Sequence, residues 1–329
     1  MNDLDPTPIA LRRFAKFVAA STLFLIFAGA MVTSTGSGLA VPDWPLSYGM
    51  LMPKMIGGIF YEHGHRMIAA TVGFLTVIQA IWLQLREPKR FVRRLGWLSL
   101  GAVVAQGVLG GLTVRFLLPP AISIAHAGLA EIFMCLNMTI AFFTSAAYLR
   151  MCNRDAASVP TTATSVLVAL VYVQILAGAL MRHLGAGLAI PDFPLSFGAV
   201  VPHLTTAAIA ANFAHRVGAL LVTVAMLVVV GKAWRHRSLR PFAIALLAIV
   251  ALQLFLGAEV VWNGARNVRY YHSLEGEVAI RNASITSIHV LTGATTLAVS
   301  LLLALAARTL APRPRDARAE AYVGAEVTA

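Results

Sequence analysis

Eight times along its 329 residues the chain passes through roughly twenty mostly apolar residues, the length at which an α-helix crosses the hydrocarbon of a bilayer. The runs lie near 15–37, 66–85, 95–117, 122–148, 164–182, 213–231, 241–262 and 284–307. With 58% apolar and only 12% charged residues, the composition excludes an ordinary soluble domain. The expected fold is an all-α integral membrane protein with eight transmembrane helices.

A formal charge of +12 raises the question of a nucleic-acid partner, but the placement of the basic residues answers it differently. Arg12, Arg13 and Lys16 precede the first run; Arg86, Lys89, Arg90, Arg93 and Arg94 follow the second; Arg150 and Arg154 follow the fourth. Lys232, Arg235, Arg237 and Arg240 follow the sixth, and Arg308, Arg313, Arg315 and Arg318 the eighth. These all fall on one side of an eight-span chain, so the charge encodes topology and no nucleic-acid partner is expected. The positive-inside rule puts both termini in the cytoplasm, and the basic tail at 309–329 then lies against lipid headgroups. The first run is too long for a cleaved signal peptide, and the N-terminus lacks transit-peptide character, so a bacterial cytoplasmic membrane is the expected location. The only cysteines, Cys135 and Cys152, lie in or at the cytoplasmic end of the fourth run, which leaves none for an outward-facing disulfide or a Cys metal site.

The chain also repeats itself. "AGAMVTSTGSGLAVPDWPLSYG" aligns with "AGALMRHLGAGLAIPDFPLSFG", and a His-Arg pair follows each, at His65-Arg66 and His215-Arg216. Weaker likeness continues from Gln106 and from Gln253. The unit is four helices used twice, and an even number of spans gives both copies the same orientation. Two parallel-repeat four-helix bundles are expected, over 1–150 and 164–308, joined by a polar linker at 151–163.

His65, His126, His215 and His289 fall at equivalent places, each near the outer end of an even-numbered run. Ionisable groups within spans are costly and tend to mark function. One such histidine alone is readily explained as an interfacial residue satisfied by a carbonyl or water, but four in repeat-related positions form two facing pairs, one per bundle. Opposed imidazoles in an apolar four-helix slot suit axial ligation of haem iron. Arg66 and Arg216 stand where a haem propionate would meet water. No c-type attachment motif is present. Zinc is less attractive, lacking further ligands at matching depth, while proton relay stays open. His63, His183, His203, His236 and His272 are not counted as ligands.

The copies differ beside the first histidine of each pair. "YEHGHR" puts Glu62 three residues before His65, whereas "NFAHR" puts Asn212 before His215. An amide cannot act as a carboxylate base, so a reactive bundle would be the first, with Glu62 as candidate. A carboxylate that merely favours a helix N-terminus is the plainer alternative. The PDWP and PDFP loops read as stiff turns, each a lid over one slot, with Gly38 and Gly187 allowing tight backbone at their entry. Trp44 and Phe193 suit the membrane interface or a macrocycle face, and Asp43 and Asp192 suit a turn cap or an Arg or His partner.

"TSTGSGLAVPDWPLSYG", "EHGHR", "RHLGAGLAIPDFPLSFG", "NFAHR", "IAHAG" and "SIHVLTG", with the duplicated plan, resemble the haem A synthase family, also called COX15/CtaA, over roughly residues 15 to 308. The resemblance implies oxidation of the C8 methyl of haem O to a formyl group, giving haem A for cytochrome oxidase. It implies that His65 and His126 bracket the substrate haem O, that His215 and His289 ligate a haem B relaying electrons, and that Glu62 is catalytic. A haem O synthase supplying substrate, an electron acceptor and a homo-oligomer are the implied or permitted partners. Some branches of the family carry a cysteine pair in the first outer loop, which is absent here. The rival from the residues alone is a bis-histidine membrane cytochrome b passing electrons. A parallel-repeat transporter is a weaker rival, since charged residues deep in the runs are not expected.

Overall fold

The computed structural model describes residues 6–154, 157–267 and 277–312, with side chains over all but 265–267 and 277–279 of these. Eight helices among them are long and apolar enough to cross a membrane, and the chain is a multi-pass membrane protein. They are α1 (Ile9–Ser34), α2 (Gly58–Arg86), α3 (Arg90–Arg115), α4 (Pro120–Phe143), α6 (Thr161–His183), α7 (Ala207–Trp234), α8 (Arg240–Asn267) and α9 (Glu277–Leu310). A short α5 (Ala146–Cys152) intervenes.

Most helices extend beyond their apolar runs. α2 starts at Gly58 and α7 at Ala207, about two turns earlier than hydropathy marks them, because polar residues at these ends have protein partners. Thr206 caps α7, its hydroxyl accepting from the Ile209 amide. The fourth run, expected to reach 148, stops at Phe143. Ser145 adopts extended backbone and accepts from the Tyr148 amide, starting α5 as a new helix inside what reads as span and linker. The tail beyond 312 and His272 lie outside the described residues.

Neighbours in the chain pack in the same order in both halves: α1 on α2, α2 on α3, α3 on α4 and α1 on α4, then α6 on α7, α7 on α8, α8 on α9 and α6 on α9. The halves meet through α1, α4, α6 and α9, whereas α2, α3, α7 and α8 stay on the outside. Met134, Leu167, Val171, Met226, Leu246, Leu297 and Leu303 fill the buried core, while Phe74, Leu98, Leu220 and Val228 of the outer helices remain exposed, as lipid-facing residues do.

α1 and α6 end alike. The Gly36 and Ser37 amides donate to Thr33 and Val32 carbonyls, and those of Gly185 and Ala186 to Arg182 and Met181. This is the Schellman arrangement, which needs a left-handed residue; Gly36 (φ 68°) and Gly185 (φ 65°) supply it. The tight entry to each loop is therefore made there and not at Gly38 or Gly187, where no positive φ occurs.

At the opposite end of the first half Lys89 is not a free charge. It is buried, its Nζ 2.7 Å from Glu87 Oε1, and Thr7 donates to the other carboxylate oxygen at 2.7 Å. Pairing makes the burial of both ions tolerable and ties the start of α1 to the α2–α3 turn.

Candidate functional site

The four histidines occupy matched seats. His65 on α2 lies against Gly29 of α1: a β-carbon built there would stand 3.0 Å from the imidazole Cε1. His126 on α4 meets Gly110 of α3 at 3.3 Å, His215 on α7 meets Gly178 of α6 at 2.9 Å, and His289 on α9 meets Gly257 of α8 at 3.2 Å. Any side chain at Gly29 or Gly178 would displace a ring, so these glycines are present for close approach. His65 and His126 lie within electrostatic reach of each other, as do His215 and His289. All four residues are half-buried. The Nδ1 atoms of His65, His126 and His289 are sealed from solvent with no hydrogen-bond partner among the described residues. Paired neutral imidazoles with unused nitrogens in an apolar helical slot fit the donor set a haem iron takes. The residues present therefore fit the group that the sequence implies.

The loops over these sites, 35–57 and 184–206, are built to one plan. Each has a cis X-Pro bond, Trp44–Pro45 and Phe193–Pro194. Tyr48-Gly49 and Phe197-Gly198 have positive φ and close two-residue turns between Ser47 and Met50 and between Ser196 and Ala199. Asp43 accepts from the Tyr48 and Gly49 amides at 2.6 and 2.8 Å, and Asp192 from Phe197 and Gly198 at 2.7 and 2.8 Å. Of the two roles read from sequence, the aspartates take the turn cap. These amides hold both carboxyls below the usual carboxylate range.

Arg66 and Arg216 fasten the loops to α2 and α7. Arg66 donates to the carbonyls of Asp43 (2.7 Å), Leu46 (3.0 Å) and Val41 (3.3 Å), and Arg216 to those of Asp192 (2.7 Å), Leu195 (3.1 Å) and Ile190 (2.8 Å). Trp44 packs over Gly111 of α3, and Phe193 meets Trp262 of α8 edge-on with Arg216 over its face.

Glu62 is 3% exposed in the fifth position of α2. It takes the Arg66 guanidinium at 2.6 Å and the Val41 amide at 2.8 Å. A carboxylate merely enjoying a helix N-terminus would sit in water, whereas this one is sealed beneath the loop. Asn212 instead donates to the Ala186 and Gly187 carbonyls, and among the described residues no cation faces it as Arg66 faces Glu62. His63, set aside on sequence, is also buried, with Nδ1 2.8 Å from the Ser47 hydroxyl; Phe213 stands at the matching place. Ser47 and Arg66 have counterparts in Ser196 and Arg216, so the walls differ in Glu62 and His63 of the first site against Asn212 and Phe213 of the second.

Two features are given no role from the sequence. A glutamine stands one turn before three of the four seating glycines, Gln106, Gln174 and Gln253, and the repeated Gln-x3-Gly spacing is the signal that marks it. Glu131, at the middle of α4, is 4% exposed with Oε2 unpartnered, near Cys135 and Tyr172. The expectation of no charged residue deep in a span is therefore wrong at this position; a single acid in a long apolar run does not disturb mean hydropathy.

The comparisons agree with this geometry. A family model described as "Cytochrome oxidase assembly protein", COX15-CtaA, matches residues 56–280. The chain is 33% identical over 260 residues to the "Heme A synthase" of Symbiobacterium thermophilum, covering 76% of this chain and 85% of that one. It is 28% identical over 282 residues to the "Heme A synthase" of Shouchella clausii, covering 80% and 91%, and 30% identical over 285 residues to that of Bacillus cereus strain AH187, covering 80% and 89%. With two pairs of matched histidine seats, paired loop motifs and a family match over most of its length, the chain belongs to the COX15-CtaA family.

Proposed function

We propose that this membrane protein is a haem A synthase, oxidising the C8 methyl of haem O to a formyl group. The observation that carries the reading is the pairing of like histidine seats with unlike surroundings: the first half has the buried carboxylate of Glu62 where the second has the amide of Asn212. Residues 1–150 take the substrate haem O between His65 and His126, and residues 164–308 take haem B between His215 and His289. Haem B, when bound, supplies one-electron transfer. Arg66 and Arg216 put a cation at the mouth of each site, where propionates meet water, while holding the loop shut. Both termini face the cytoplasm of a bacterial cell and the sites lie near the outer face, as the basic residues dictate. Haem O comes from a haem O synthase; the basic tail rests on lipid, and electrons pass to an acceptor outside the chain.

Glu62 is the proton-handling group. Its carboxylate is held by Arg66 and by the Val41 amide, and oxidation of a neighbouring carbon releases protons that a buried base receives. The loop excludes water, which strengthens the interaction of that carboxylate with developing positive charge. Replacing Glu62 with Gln keeps the shape and the Val41 contact but removes the charge. E62Q is expected to retain haem B and the fold while product stops at haem O or a hydroxylated intermediate, read by mass analysis of extracted haems. A normal yield of haem A from E62Q would refute this role.

A further inference from the structure

The glutamines before the seating glycines do not occur at all four seats. The Gln106 amide on α3 donates to the backbone carbonyl of His126 at 2.9 Å. The Gln174 amide on α6 donates to the carbonyl of His215 at 2.8 Å and lies 3.0 Å from its Nδ1. Gln253 on α8 has its amide 3.4 Å from His289 Nε2, and its Oε1 takes the hydroxyl of Thr292, three residues along α9. Each contact pins a ligand-bearing helix to its neighbour at the height of the histidine.

The fourth seat lacks the pin. α1 carries Leu25 one turn before Gly29, where α6 carries Gln174 before Gly178. The space has changed to match. A β-carbon at Gly218 would overlap the Gln174 side-chain oxygen, so Gln174 fits because residue 218 is glycine. The residue three after His65 is Ile68, in the place of Gly218. Leu25 and Ile68 thus stand where the second half has Gln174 and Gly218, so no glutamine reaches His65, whose Nδ1, like those of His126 and His289, has no hydrogen-bond partner among the described residues.

Partners that orient a ligating histidine typically alter metal affinity by about 10- to 100-fold. A site with both histidines pinned holds its group as a resident. A site with one pinned and one free lets go on the free side. Resting on the two-haem reading above, we infer that the second site is a permanent holder and that the first exchanges its haem by disengaging His65, with substrate entering and product leaving on the α1–α2 side. Gln106, Gln174 and Gln253 are positioning residues that set how long a haem stays.

The test is the rate at which purified holoprotein in detergent yields haem to apomyoglobin, followed by absorbance. Wild-type protein is expected to lose one haem fast and one slowly. L25Q/I68G, which transplants the pin, is expected to slow the fast phase by about 10- to 100-fold and to shift the low-spin ferric signal of that site alone. Q174L/G218I is expected to accelerate the slow phase. If L25Q/I68G fails to fold, Q106L and Q174L carry the test, each hastening loss from its own site. Unchanged rates in variants that hold both haems would overturn this inference and leave the functional reading standing. Wild-type protein that purifies without haem would overturn both.

Discussion

The two halves of this chain share a backbone plan and part company in a few side chains beside the histidines. Gly29 and Gly178 seat their rings alike, Asp43 and Asp192 cap the same turn, and Arg66 and Arg216 grip the same loop carbonyls. Glu62 and His63 against Asn212 and Phe213, and Leu25 and Ile68 against Gln174 and Gly218, are where they differ. What is common builds a slot and closes it. What differs is, on the function proposed above, what would make one slot reactive and the other a holder. The repeat supplies two like cages, and a few substitutions at the cage wall are all that distinguish them.

The comparison is broken most severely at the ligands. H126A should empty the first site and leave the second loaded, and H289A should do the reverse, each read as loss of one haem per chain by pyridine haemochrome analysis. Simultaneous loss of both haems from either variant would show that the halves do not bind independently.

A smaller effect separates the two arginines. R66A removes the loop contacts and leaves Glu62 buried with only the Val41 amide, whereas R216A removes loop contacts alone. Breaking a buried pair from one side costs on the order of 3 kcal/mol, while the guanidinium-to-carbonyl hydrogen bonds, roughly 1.5 to 3 kcal/mol each, are lost alike in both variants. R66A should therefore lower the detergent melting temperature more than R216A, and E62Q should restore part of the difference in the R66A background. Equal melting of R66A and R216A would mean that Glu62 is not held as a charge.

The smallest effect is one in which the halves should behave alike. Asp43 and Asp192 titrate below the ordinary carboxylate value because two backbone amides favour the ionised form. The stabilisation is complete above the unfolded value of about 3.9 and is lost as pH falls through the lower folded value. Both loops should stay protected at neutral pH and open together only in strong acid, and D43N or D192N should open its own loop at any pH. Limited proteolysis of the loops from pH 6 down to about pH 2, with an acid-active protease at the low end, measures this.

Much of this architecture is legible in the residues, because lipid leaves the backbone few options and a repeated motif locates equivalent positions without any contact information. The eight spans, the four histidines and the Glu62 asymmetry all come from that reading. Helix starts at Gly58 and Ala207 do not, since partners in the loop, such as Val41 for Glu62 and Ser47 for His63, make polar residues helical where hydropathy sees a boundary. The arginines read as haem partners from their position alone, but only the folded loop reveals the carbonyls they hold. Glu131 and the glutamines are hidden for another reason: one polar residue in a long apolar run leaves its hydropathy nearly unchanged, and the neighbour that gives it meaning lies on another helix.

The claim that one half transforms a haem while the other holds one is tested most directly by extracting and weighing the haems of the purified protein from a host that also makes haem O. Haem A or a hydroxylated intermediate alongside haem B is the expected result. Haem B alone, filling both sites, would contradict the account and make the chain an electron-transfer cytochrome.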